Sequence, residues 1–330
     1  MMHERLLDAW REKRVLVTGG HGFLGSHLLP RLASLGAEVV APSRQQLDLR
    51  DRAATLAFFE SVRPQHVIHM AAVQGGVGFI NDKPADVYLN NLLINTHTLE
   101  AAGACGAERI LCLGSSCAYP DDPDHDLTED DVWRGPMHPS VAHYGITKKV
   151  ELLHLDALRR QTGLLGTVLI PSSMLGERDD FSPERSHVAG ALIRKFVAAK
   201  AEGIEQVELW GDGSPVREFM YVGDCVEALL RVATLARPPV LLNIGSGEGT
   251  SVRTLAAHII ELTGFSGSLF WDTSRPNGSP RKVISSAKAQ QILEWQPEVS
   301  LKEALARTLR WYCSDSYGSE TMPLEAQTRL

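Results

Sequence analysis

Tyr144-Gly-Ile-Thr-Lys148 sets a phenol and an ammonium four residues apart. On a helix such positions share a face, so both groups reach the same small volume. A free tyrosine titrates at about pH 10, and a neighbouring positive charge lowers that by favouring the phenolate. Tyr144 beside Lys148 is therefore a candidate acid/base for a substrate oxygen. The plain alternative is a half-buried surface pair. What lifts the pair above it is position, on a helix that follows the fourth strand of a nucleotide-binding pattern. That strand ends in Gly114-Ser-Ser-Cys-Ala-Tyr-Pro120, at the carboxyl edge where open α/β sheets bind ligands. A serine hydroxyl there can donate to and accept from a substrate carbonyl, and Ser115, two residues before Cys117, is the candidate.

A second constellation handles phosphate. Gly19, Gly22 and Gly25 form a GxxGxxG turn straight after one strand and opening a helix. The first glycine permits the tight turn, the second lets backbone approach a pyrophosphate, and the third allows close helix–strand packing. The helix N-terminus then offers free N–H groups to a dinucleotide. The next strand ends Ala41-Pro-Ser-Arg44, without the carboxylate that would hold the ribose of NAD. Ser43 and Arg44 favour NADP(H), with NAD(H) as the alternative and a solvated surface Arg as the plain reading. Asp48 could hydrogen-bond the adenine amine.

The elements that position these residues alternate. Strands are predicted at Arg14–Thr18, Glu38–Ala41, His66–Met70, Arg109–Gly114 and Thr167–Pro171, and helices at Ser26–Leu35, Ala53–Val62, Val87–Ala102 and Tyr144–Arg160. This is the signature of a Rossmann-type doubly wound parallel sheet in the α/β class. Pro30 predicts a bend in the first helix. After Pro171 the texture changes to a charged loop, a helix over Val188–Ala201, and short Gly- and Pro-rich segments. The expected organisation is a dinucleotide domain over 1–171, with about 215–235 returning to it, since Arg217–Val222 could rejoin the main sheet. A smaller α+β substrate lobe takes most of 172–330. The tail after Ser314 is expected to fray.

Composition narrows the class. A net charge of −7 argues against nucleic acid, and no apolar run approaches a membrane span. The N-terminal segment lacks the apolar centre of a signal peptide. Five cysteines without CxxC spacing suggest neither a disulfide framework nor a metal site, so a reducing cytoplasm is the expected compartment.

From Val15 to about Tyr312 the chain resembles the extended short-chain dehydrogenase/reductases, and specifically the GDP-L-fucose synthase group. The shared stretches are Ala71-Ala-Val-Gln-Gly-Gly-Val77, Gly114–Pro120, Tyr144–Lys148, Ser186-His-Val-Ala-Gly-Ala-Leu-Ile-Arg194, Trp210-Gly-Asp-Gly-Ser-Pro-Val-Arg-Glu-Phe219, Asn243-Ile-Gly-Ser-Gly247 and Pro280-Arg-Lys282. The resemblance implies a two-stage reaction on a nucleotide-linked 4-keto-6-deoxy sugar: epimerisation at C3 and C5, then reduction at C4 by NADPH. Tyr144 would protonate the oxygen and Ser115 steady it. Cys117 and His187 correspond to the epimerising pair, which suits a thiol and an imidazole that trade protons near neutrality. Their plain alternatives are a buried small hydrophobe and a helix cap.

Phe23, Leu24, Leu49, Ala71, Ala72, Asn90 and Pro171 join the cofactor set on the same grounds. Ser116, Ser173, Lys195 (or its neighbour Arg194), Trp210, Arg217 and Arg281 join the substrate set. A homodimer through a four-helix contact including the Tyr144 helix is also implied.

The chain departs from the group after its fifth strand. Where the group reads close to PTNLYGPxDNF, this sequence has Pro171-Ser-Ser-Met-Leu-Gly-Glu-Arg-Asp-Asp-Phe181. Ser173 and Asp180 each replace an Asn, and Leu175 replaces a Tyr. A carboxylate at 180 would repel an anionic substrate unless a cation such as Arg178 compensates. The competing readings are an epimerase or 4-ketoreductase of a different nucleotide sugar, and a non-catalytic dinucleotide sensor on the same fold.

Overall fold

Each of the five predicted strand runs forms a strand in the computed structural model, which describes residues 1–121, 124–275 and 277–315. Beyond Asp315 the polar tail lies outside the described residues. The first part of the chain runs α1 (Met2–Trp10), β1 (Arg14–Thr18), α2 (Phe23–Ser34), β2 (Glu38–Val40), α3 (Arg52–Val62), β3 (His66–His69), α4 (Val77–Asp82) and α5 (Pro84–Ala104). It continues with β4 (Arg109–Leu113), α6 (Ala142–Thr162), β5 (Leu165–Pro171), β6 (Ser173–Leu175), α7 (Val188–Glu202), β7 (Gln206–Trp210), β8 (Val216–Tyr221) and α8 (Val222–Val232). The rest is β9 (Leu241–Ile244), β10 (Gly249–Ser251), α9 (Val252–Thr263), β11 (Ser268–Asp272), β12 (Arg281–Lys282), α10 (Ala287–Leu293) and α11 (Leu301–Asp315).

The main sheet has the order β2-β1-β3-β4-β5-β9, and every pair in it is parallel. Parallel strands covered by helices on both faces bury nearly every side chain, which is why β3 and β9 are buried along their whole length. One face carries the core of Trp10, Leu28, Leu32, Val226 and Leu229 under α1, α2 and α8. The other carries Phe59, Leu99, Leu152 and Leu155 under α3, α5 and α6. Strand order reverses direction between β1 and β3, so the ligand crevice opens there, at the glycine turn.

One expectation is corrected. The strand at 216–221 does not rejoin the main sheet; β8 pairs with β6, β10 and β12 in the smaller lobe. The strand that returns is the four-residue β9, while α8 packs on the main core. Helix α2 persists through Pro30 as expected: Pro30 lies on its exposed side, where water can meet the carbonyl the missing N–H leaves free.

Candidate active site

At the glycine turn two positions, Gly19 and Gly25, have no room for a side chain. Gly19 has φ +74°, and a Cβ there would stand 2.7 Å from the Ala71 nitrogen at the end of β3. A Cβ on Gly25 would fall 2.3 Å from the Gly20 oxygen. Gly22 is the N-cap of α2, and no side chain caps that helix. The first-turn N–H groups of Phe23, Leu24 and Gly25 are thus left to an anion, and a Cβ at Gly22 would meet only Gly19 O. The turn fits a dinucleotide pyrophosphate.

Beyond β2, Arg44 is exposed, and Ser43 is tied into a local turn by its N–H donating to Gln46 Oε1 (2.8 Å). Asp48 is engaged by Arg50, whose guanidinium hydrogen bonds hold its carboxyl down at about pKa 2. Arg50 also donates to Asn90 Oδ1 (3.0 Å). Asp48 and Asn90 are therefore linked through a residue the sequence reading did not single out. Leu49 is buried and its carbonyl meets His97 Nδ1 at 3.0 Å. Asn91 brackets Val73 through both its amide atoms (2.9 and 2.8 Å), holding the Ala71–Val73 segment, including Ala72, to α5. Pro171 is buried at the end of β5.

The chemistry-bearing side chains meet where α6 crosses the end of β4. Ser115 caps the single 3-10 turn Ser116–Ala118: its Oγ accepts from Cys117 N at 3.2 Å. Gly145, directly after Tyr144, lies so close that a Cβ would stand 2.2 Å from Cys117 O. That approach seats Cys117 against Tyr144 in an apolar nest with Ile80 and Val87. Burial pushes the Tyr144 phenol up to about 12, with Lys148 pulling the other way. Lys148 is itself buried, and its Nζ donates to Leu113 O (2.8 Å) and to Glu151 Oε2 (2.9 Å).

Cys117 sits under two cations. Burial raises its thiol pKa, while the Ser115 hydroxyl, Lys282 and Arg217 work against that. Lys282 and Arg217 are register partners in the parallel β12–β8 pair, so their side chains leave the same face. Lys282 Nζ also donates to Pro120 O at 2.9 Å, holding it over the Ser115–Pro120 turn. Arg281, the neighbour named from sequence, pairs instead with Asp126. The two-residue periodicity of a strand turns one of two adjacent cations inward and the other out, which the sequence reading did not use.

The opposite wall is the Ser182–His187 loop. Gly76 N donates to Arg185 O (3.0 Å), and Arg185 reaches Gln74 O (3.1 Å), so this loop is bound to the one after β3. His187 is the N-cap of α7 by position, yet its side chain makes no capping bond. Its imidazole still meets solvent at the mouth of the cleft, and the protein crowded round it lowers its pKa, with the Asp180 carboxylate opposing. Asp180 pairs with Arg185 at 3.5 Å, not with the Arg178 suggested by sequence.

Two helical turns beyond His187, Arg194 has a buried Nε without a hydrogen-bond partner among the described residues, whereas Lys195 donates to Glu208 O (2.9 Å). Trp210 is 60% exposed, with the Arg275 guanidinium 5.0 Å over its ring, so it is not a core residue. Ser173 is exposed on β6, and Ser116 is half-buried in the turn beside Cys117.

Comparison with known proteins adds independent findings. A model of the NAD dependent epimerase/dehydratase family matches residues 15–245. A probable GDP-L-fucose synthase 1 of Oryza sativa subsp. japonica is 38% identical over 301 residues, spanning 91% of this chain and 92% of the relative. A GDP-L-fucose synthase of Sinorhizobium fredii is 35% identical, spanning 94% and 98%. The crystal structure of a GDP-L-fucose synthetase from Naegleria fowleri bound to NADP superposes with a TM-score of 0.81 at 26% identity, covering 92% of this chain and 94% of that one.

Proposed function

The chain belongs to the NAD dependent epimerase/dehydratase family and, within it, to the GDP-L-fucose synthase group, and from that premise we propose that it is an NADPH-dependent 3,5-epimerase/4-reductase of GDP-4-keto-6-deoxymannose. The observation that carries this reading is the seating of Cys117 against Tyr144, with Ser115 beside it and Arg217 and Lys282 over it. A simple ketoreductase needs the tyrosine, lysine and serine. A thiol beside them supplies the further acid/base group that a reaction moving carbon-bound protons needs.

A C4 ketone acidifies the hydrogens at C3 and C5, so one acid/base pair can invert both carbons. Cys117 and His187 are that pair, one on the floor and one at the mouth of the cleft. Near neutrality the thiol holds its proton and the imidazole lacks one, so the two together carry one transferable proton. Arg217 and Lys282 favour the enolate oxygen and any thiolate that forms. Bound NADPH supplies the hydride for C4. Tyr144 gives its proton to the C4 oxygen, Ser115 donates a hydrogen bond to it, and Lys148 keeps a positive charge behind the phenol. Arg44, with no acid at the tip of β2, suits the 2′-phosphate.

Arg194 is a better candidate for the sugar diphosphate than Lys195, because its buried donor is unspent. Leu89 on α5 and Leu153 on α6, 54% and 56% exposed, support a homodimer through these helices; a monomer in light scattering would rule that out. Five unpaired cysteines fit a reducing cytoplasm.

The replacements at Ser173 and Asp180 favour a second reading, in which the same steps act on another nucleotide sugar. The test is to follow NADPH absorbance with purified protein and a panel of nucleotide-linked 4-keto-6-deoxy sugars. Turnover fastest with GDP-4-keto-6-deoxymannose is expected. A clear preference for another member of the panel selects the second reading, and no oxidation with any member defeats both.

A further inference from the structure

Behind the catalytic pair lies a polar cluster that the reaction just described does not use. Thr18, His69 and Cys112 are successive register partners across β1, β3 and β4, so they form a row on one face of the sheet, beneath α5 and α6. Glu151 descends onto that row from α6, in line with Tyr144 and Lys148 at helical spacing. Its side chain is fully buried. One carboxylate oxygen accepts from Lys148 Nζ at 2.9 Å. The other lies 3.8 Å from His69 Nε2, and the Cys112 thiol also hydrogen-bonds the carboxylate.

His69 does not supply a counter-charge. Asn95 Nδ2 donates toward Thr147 O, which turns Asn95 Oδ1 to His69 Nε2 (3.1 Å), and the Thr18 hydroxyl donates to Nδ1 at 2.7 Å. That arrangement selects the neutral imidazole, and burial with the nearby Lys148 charge drives its pKa down to about 3. Cys112 is a protonated thiol by burial. The ionisable groups facing Lys148 are therefore Glu151 and Tyr144 from its own helix, Cys112 from β4 and neutral His69 from β3, with α5 contributing only the Asn95 amide. Among them Glu151 alone offers an anion to a buried ammonium.

We infer that Glu151 is a positioning residue: it fixes Lys148 Nζ between Leu113 O and the cleft and keeps it charged there before any ligand binds. Burial alone would strip the proton from an isolated lysine. The carboxylate outweighs burial and holds Lys148 above the usual lysine range. Two of the three Nζ protons are spent on fixed partners, leaving one directed by default to the cofactor side. Glu151 reaches neither substrate nor Tyr144; it acts through Lys148.

The inference rests on the catalytic reading of Lys148, so its test needs a readout without turnover. In protein labelled with 15N-lysine, the Nζ signal lost in Lys148→Met identifies Lys148, and its titration is followed in wild type, Glu151→Gln and Glu151→Asp. Glutamine keeps a hydrogen-bond acceptor and removes the charge. The titration midpoint is expected to fall by about one unit or more in Glu151→Gln and to recover in large part in Glu151→Asp. The alkaline limb of kcat/KM should move to lower pH in step, because losing the carboxylate favours both deprotonated Lys148 and deprotonated Tyr144. An unchanged midpoint in folded Glu151→Gln overturns the inference, even if its melting temperature drops. A shifted midpoint with an unmoved kinetic limb would instead overturn the catalytic role of Lys148.

Discussion

The floor and the rim of the cleft are built by different means. On the floor, Ser115, Cys117, Tyr144 and Lys148 are placed by backbone: a 3-10 turn, a glycine contact between α6 and Cys117 O, and an ammonium anchored on Leu113 O. On the rim, Arg44, His187 and Trp210 stand on loops and strand ends with their side chains in water. A floor group displaced by an ångström loses its reaction, whereas a rim group has other conformations in which to meet a ligand. Under the proposed function the reducing chemistry thus lies on the rigid floor, and the substrate is left to be met by exposed side chains, where this chain departs from its group at Ser173 and Asp180.

If that division holds, the largest losses come from the floor, and they separate by step. Tyr144→Phe should lower net reduction by about a thousandfold while NADPH binding, read by fluorescence titration, stays near wild type. Cys117→Ser should lower deuterium incorporation at C3 and C5 in heavy water by at least about a hundredfold. If exchange in Cys117→Ser matches wild type, the thiol is structural and the epimerase half of the proposal fails. Wild-type turnover in Tyr144→Phe would end the reductase half.

Gly145→Ala probes the same division without touching a reacting group. Its new methyl would stand 2.2 Å from Cys117 O and 2.7 Å from Met137 Sδ, so α6 must retreat. Displacement on that scale costs about a hundredfold in kcat. A folded Gly145→Ala protein with full activity would show that the floor tolerates movement, and the contrast with the rim would disappear.

The sequence carried the floor well, because glycine turns, a four-residue helical spacing and a strand end are local patterns. Five strands of the main sheet could be read for the same reason, as apolar runs of four or more residues between helices. β9 escaped because Leu241–Ile244 is a short run whose assignment depends on lying beside β5, a contact made across about seventy residues. Glu151 escaped because a carboxylate on a charged helix reads as solvated surface; only tertiary packing puts it at full burial. Lys282 and Arg281 could not be told apart without knowing which side of β12 faces Cys117.

That last ambiguity is testable at the boundary between floor and rim. Lys282→Met removes a charged donor held over the reacting turn, so KM for the nucleotide sugar should rise about tenfold with kcat also reduced. Arg281→Met breaks a pair with Asp126 on the other side of the strand and should leave both constants within about twofold. The reverse order of effects would mean that the β12 register seen here does not describe the substrate complex.

The smallest effect belongs to the most exposed group. Arg44 ends β2 in solvent, and its attraction for a 2′-phosphate is that of a surface ion pair, worth up to about 1 kcal/mol. Arg44→Ala should therefore raise KM for NADPH about threefold to fivefold at low ionic strength and leave KM for NADH unchanged. Because exposed charges are screened over about 10 Å at 0.1 M salt, the difference between wild type and variant should shrink as salt is added. A buried phosphate site would behave otherwise, losing far more on substitution and responding little to salt. Equal effects of Arg44→Ala on NADPH and NADH would show that the residue does not discriminate between cofactors, and preference for the phosphorylated one would then have to come from the backbone of the Ser43–Gln46 turn.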